Sequence, residues 1–344
     1  MNRAMTLAVA FVATFALILG GAAGIGYLTA DGAETPPELE NDHYLDEDLV
    51  HDGTPGEADV EMSSTAPPQT ILIDPGAAAD GGVAADPLAL LGLGADGAAD
   101  RDVRPLVNAL IENGHEVRIH TPEPGAQPPG DDEPTALGAD LAEADAFVTF
   151  RTEYADAEVE DIETFAENDG HVLLASDGDA EFDQPGAAAL DAALGVTTEP
   201  GYVYNMEDHD LNYQRVYAEP DAESPVTDGV DRVVFQSATP VGTNFANAEL
   251  RPSDGSQLST TRASTEKPLL IHTGSVVMAG DSDFMSPENA QRVDNDVLIG
   301  NLADFLVEND RNAAQQPPES SGDEAPPGEP VPPEEFPEEE PPQG

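Results

Sequence analysis

Cysteine is absent from this chain and lysine occurs once, as Lys267. Without cysteine there is no disulfide, no thiol nucleophile and no thiolate metal site. The 12 basic residues, arginine in all but that one case, face 69 acidic ones, for a formal charge of −57. They form no basic stripe, which argues against nucleic acid as a partner. The phosphate-cradling pattern G-x-x-x-x-G-K-[ST] is missing as well.

What is present is acid, spread along the whole chain. Such an excess fits disorder, cation binding or life in molar salt. Apolar periodicity in the middle of the chain argues against wholesale disorder. Near-absence of lysine with acid everywhere fits a salt-loving organism. At 1 M salt the Debye length is about 3 Å, so self-repulsion is screened. Folding is therefore expected to strengthen with salt.

Residues 4–30 carry no charge, with Arg3 before them and Asp31 after them. An apolar run of more than about 18 residues is long enough to span a bilayer. A cleaved signal peptide is the rival, with Gly21-Ala22-Ala23 as a small-residue cleavage site. The run continues past that site, which favours an uncleaved single-pass anchor over residues 1–30. Arg3 precedes the span, so the expected orientation places the bulk of the chain outside the cytoplasm. Residues 31–69, rich in Asp, Glu, Pro and Gly, read as a disordered linker. Residues 310–344 read as a solvated Pro/Glu-rich tail.

Between these arms, residues 70–309 alternate strands and helices. Thr70–Asp74, His115–Thr121, Ala146–Phe150 and His171–Ala175 are apolar strand patterns. A helix capped by Asp100 carries Val103, Leu106, Val107, Leu110 and Ile111 on one stripe, and a second runs over Ala157–Asn168. A Pro/Gly/Asp loop is expected after the second strand. The spacing predicts an α/β fold, a doubly wound, mostly parallel sheet of right-handed βαβ units. Residues 184–265 read as a β-rich insertion covering one edge. The main sheet then resumes at Leu269–His272 and Val276–Ala279. A last helix follows, with Asn295 as its N-cap.

In open parallel sheets ligands meet the carboxyl ends of the strands. The polar residues there are Asp74; Arg151 with Glu153; Ser176, Asp177 and Asp179; and Asp281 with Asp283. Convergent carboxylates with one arginine suit a cation or a polar ligand. The competing reading is local: acid is common at loop starts and helix N-termini in a chain this acidic. Ser176 follows a strand, but Leu174-Ala175-Ser176-Asp177-Gly178 matches only half of the nucleophile elbow G-x-S-x-G. A capping serine is the competing role. His209, in the run Glu207–Asp210, suits a solvated loop better than a metal site.

The segments TILID, DVRPLVNALIENGHEVRIHT, AFVTF, HVLLASDGD, GSVVMAGDSDF and DNDVLIGNLADFLVEN resemble the family called "domain of unknown function 4350". The resemblance spans roughly Pro68–Asn309. That family is similar to the soluble domain of gliding-motility-type accessory proteins of ABC transport systems. It implies a class I glutamine amidotransferase-like, flavodoxin-like fold. Amidotransferases place a catalytic cysteine at a strand-to-helix elbow, and the position matching it here holds Ser176-Asp177. With no cysteine, glutaminase chemistry of that kind is excluded. Relatives often carry a histidine soon after the first-strand aspartate, where this chain has Pro75-Gly76-Ala77-Ala78-Ala79. The expectation is a membrane-anchored, extracytoplasmic, non-enzymatic binding or accessory module, with no cofactor and with a membrane-complex or ABC-transport protein as partner. The alternative is a hydrolase or divalent-metal enzyme using the rim carboxylates.

Overall fold

The computed structural model describes residues 59–75, 102–121, 134–151, 153–176, 187–243 and 247–309, with the single residues 14 and 311. The chain divides into two compact units, Met1–His51 and Asp52–Gly344. In the first, only Thr14 is described, helical and exposed. The rest of the apolar run 4–30 lies outside the described residues. Among the described residues no helix is long and apolar enough to cross a membrane.

The elements of the second unit are, in order, β1 (Thr70–Asp74), α1 (Arg104–Glu112), β2 (Glu116–Ile119), α2 (Ala136–Ala142), β3 (Ala146–Thr149), α3 (Asp156–Glu167), β4 (His171–Ala175), α4 (Ala187–Leu194), β5 (Val196–Thr198), β6 (Val203–Tyr204), β7 (Arg215–Pro220), β8 (Val233–Gln236), β9 (Val241–Thr243), β10 (Asn247–Pro252), β11 (Gln257–Leu258), β12 (Leu270–Thr273), β13 (Val276–Ala279) and α5 (Asn295–Val307). One nine-stranded sheet runs β2-β1-β3-β4-β13-β12-β10-β7-β8. Its first five strands are parallel, with Leu72 opposite Phe147, Val148 opposite Leu173, and Leu173 opposite Val277. The remaining four join antiparallel.

The inner parallel strands β1, β3, β4 and β13 are buried on both faces because both faces are covered, while the edge strand β2 leaves Glu116 and Arg118 exposed. Ile71, Ile73, Val148, Leu173 and Val277 pack against α1 and α5. Leu72, Phe147, Val172, Leu174 and Met278 pack on the opposite side against α2, α3 and α4. This is the double winding that the sequence pattern implies.

The departures from that pattern are informative. The sheet is mixed, with five parallel strands and four that join antiparallel: the residues read as an edge-covering insertion supply β7, β8 and β10, which extend the sheet. The Pro/Gly/Asp loop contains α2, whose N-cap Thr135 accepts from Gly138 N. Ile111 leaves the buried stripe of α1 and is 54% exposed, while Ala109 is buried in the same helix. Asp294, not Asn295, is the N-cap residue of α5.

Residues 59–69, expected to be disordered linker, run across the domain. Val60, Met62 and Ala66 pack against the core. Asp304 accepts from Ser63 N at 2.9 Å, Ser64 N at 3.0 Å and Ser63 Oγ at 2.6 Å. The segment lies so close to α5 that a Cβ on Gly300 would come within 2.2 Å of Glu61 O. At the other end, Arg311 Nε donates to Ala144 O at 2.9 Å and its guanidinium lies 4.6 Å from the Phe165 ring centre.

Candidate functional site

In the order β2-β1-β3-β4 the chain reverses direction of travel between β1 and β3, because α1 covers one face and α2 the other. Ligands of open α/β sheets meet such a switch point, outside the carboxyl ends of the strands. Asp74 ends β1 there and is buried. Tyr154 Oη, from the loop after β3, donates to Asp74 Oδ2 at 2.8 Å and also bonds Thr149 Oγ1. Burial, and then the negative charge of Asp74, raise the Tyr154 phenol well above its ordinary pKa. It therefore stays protonated as a donor at neutral pH.

Arg151 completes the cluster. Its guanidinium is 4.3 Å from the Tyr154 ring centre, 3.8 Å from Asp74 Oδ2 and 3.0 Å from Glu158 Oε2. Glu158 also accepts from Ala155 N at 2.9 Å, so one carboxylate both caps α3 and positions the arginine. The Arg151 side chain keeps 26% of its surface open. Glu153 is exposed, and its backbone carbonyl is what Arg151 Nε reaches.

Ser176 follows β4 and its amide donates to Ala279 O at 3.0 Å. Its Oγ is buried and has no hydrogen-bond partner among the described residues. Asp177 and Asp179 lie outside the described residues. Asp281 is buried; it accepts from Gln236 N at 2.8 Å and Asp283 N at 2.9 Å. Asp283 Oδ2 accepts from Gln236 Nε2 at 2.8 Å. These two aspartates brace the turn after β13 and tie it to the end of β8.

The rim thus holds separate groups. Asp74 ends β1 and Asp281 follows β13, and those two strands are three places apart, about 14 Å at the ordinary strand spacing. Two ligands of one hard cation lie within about 5 Å of each other, given metal–oxygen distances near 2.4 Å. Among the described residues no group of three or more His, Asp or Glu side chains is placed to hold a metal ion. Sequence reasoning named Asp74 and Arg151 but missed Tyr154, Thr149 and Glu158. The signal available was position: Tyr154 and Glu158 fall just after a strand already marked by Arg151.

No family model and no curated protein matches the chain. Solved structures to which it is similar include the mmIFT52 N-terminal domain, at 12% identity and TM-score 0.47, covering 59% of this chain and 92% of that one. A ThuA-like protein from Parabacteroides merdae is similar at 12% identity and TM-score 0.42, covering 70% and 91%. The cytoplasmic protein STM3548 from Salmonella typhimurium is similar at 14% identity and TM-score 0.40, covering 69% and 98%.

Proposed function

We propose that this chain is a membrane-anchored, extracytoplasmic binding or accessory module of a membrane or transport-associated system in a salt-loving cell. Its fold is read as amidotransferase-like, in keeping with the resemblance to the domain of unknown function 4350. The observation that carries the reading is the switch-point cluster. Asp74, Tyr154 and Glu158 are engaged in holding Arg151, whose side chain keeps about a quarter of its surface, 26%, open. That is an arrangement for meeting a polar or anionic group. A serine hydrolase needs a base on its nucleophile, and among the described residues none is hydrogen-bonded to Ser176 Oγ.

The test has two arms. Protease added to intact cells expressing the full chain should trim the globular part, and full protection would reject the orientation. Purified full chain should not turn over model esters or amides. Turnover that disappears in Ser176→Ala would replace the binding reading with the hydrolase alternative.

A further inference from the structure

Large apolar side chains left exposed among the described residues are Ile111, Met206 and Tyr213. Two of these three, Met206 and Tyr213, lie on neighbouring loops beside the sheet's antiparallel half. Tyr213 is 43% exposed and Met206 64%. Asn205 N donates to Tyr213 O at 2.8 Å, which holds the two loops side by side. Behind them stand Tyr204 and Tyr202, both half-buried. The rings form a ladder, Tyr213 to Tyr204 at 6.2 Å and Tyr204 to Tyr202 at 6.4 Å, each edge to face. The Tyr204 hydroxyl is oriented by Gln257 Oε1 at 2.7 Å. Single exposed apolar residues are ordinary, but a row of aromatics at the surface is a feature of binding sites.

Ridged tyrosine surfaces suit one ligand class above others, the extended polyproline II helix. Its rings fill the gaps between aromatic edges and its solvated carbonyls accept from phenols. This chain carries a proline-rich sequence of the kind that favours it. Pro326–Pro333 reads PPGEPVPP, with one charge in the run, at Glu329. The residues directly after it, 334–340, hold five glutamates. We propose that the Tyr202–Tyr204–Tyr213–Met206 surface is a polyproline-binding site and that its occupant is Pro326–Pro333 of the same chain. Reach is sufficient: residues 312–325, which join Arg311 to the segment, span up to about 43 Å at about 3.1 Å each, against about 24 Å across the five strand places from β3, beside Arg311, to β7, beside Tyr213. The acidic flanks of the segment and the acidic domain repel each other, so docking should strengthen with salt.

The absence of cysteine makes the test direct. Glu324→Cys supplies one thiol beside the segment for a nitroxide label, in the full chain held in detergent micelles at molar salt, with isotope-labelled tyrosine. The expected result is loss of the Tyr202, Tyr204 and Tyr213 signals with retention of the buried Tyr154 signal. Adding Tyr213→Ala and Met206→Ala should bring back Tyr202 and Tyr204. Equal broadening of all tyrosines, or none, overturns the proposal. So does broadening that passes from a labelled chain to a second, nitroxide-free copy, because the occupant would then be another molecule. Docking that weakens with added salt would also overturn it, since charge and not proline would then be recognised.

Discussion

Asn295 closes the free edge of β8 through Val234. Its Oδ1 accepts from Val234 N at 2.8 Å and its Nδ2 donates to Val234 O at 3.1 Å, as a neighbouring strand would. The same Nδ2 reaches Asn289 O at 2.9 Å, and the side chain is fully buried. Beside it, Asp294 Oδ2 accepts from Asp231 N and Arg232 N. An edge strand with open backbone groups is a template for pairing with another chain. Here one amide side chain occupies it.

Asn295→Ala should therefore cost about 3 kcal/mol, since it leaves two buried backbone groups of Val234 unpaired. Asn295→Asp keeps the acceptor and loses the donor, so it should also destabilise. Chemical denaturation measures the loss. Light scattering should show increased self-association, and a variant as stable and monomeric as wild type would refute the edge-closing role.

Gly280 admits no side chain. A Cβ there would lie 1.9 Å from Thr239 O, and Thr239 N is bonded to Gly280 O at 2.7 Å, so the two backbones are fixed against each other. Gly280→Ala should destabilise by about 3 kcal/mol or prevent folding. Gly274→Ala is the control. Nothing lies within 4 Å of its Cβ, but its φ is +57°. Its cost should stay near 1 kcal/mol. Equal midpoints for the two variants would contradict the packing at Thr239.

Asp281 braces the turn after β13 by accepting from Gln236 N and Asp283 N. Asp281→Ala unpairs Gln236 N and Asp283 N and should cost about 2 kcal/mol or more. The melting temperatures of wild type and variant, at constant monovalent salt, should be the same in EDTA as in millimolar Ca²⁺ or Mg²⁺. A cation-dependent rise in wild type alone would assign the pair to a metal site.

His115 makes stability pH-dependent. It is buried, and its Nδ1 accepts from Gln69 N at 3.2 Å, which requires the neutral ring. Desolvation depresses its pKa below 6.5, with Asp304 opposing. A depressed folded pKa means that this stabilisation is complete above about 6.5 and is lost as pH falls through the folded value. Wild type should lose stability between pH 7 and pH 5, and His115→Gln, which can still accept from Gln69 N, should lose less. An equal loss in both would place the titration elsewhere.

The parallel core was legible because burial on both faces leaves an uninterrupted apolar run. TILID, HVLLA and VVMA stand out for that reason, and β4 and β13 have the expected bounds. The antiparallel half was harder. In β10, Glu249 is buried next to Leu250 and Ala248, so the period-2 alternation fails. Short α2 was hidden among proline, glycine and aspartate. At the rim, residue type and position were readable, but partners were not. Gln236 binds Asp281 and Asp283 from 45 and 47 residues away. Nothing local in DSDF announces a glutamine from another strand.

The clasp between Asp304 and Ser63–Ser64 has a mechanical meaning. It fastens residues 59–69 to α5, so this stretch belongs to the folded domain and not to the expected linker. A pull arriving from the amino-terminal side meets the Asp304 carboxylate before it meets β1. The first element loaded is α5, through hydrogen bonds that can be peeled one at a time, and the sheet that carries Asp74 and Arg151 is shielded until they yield.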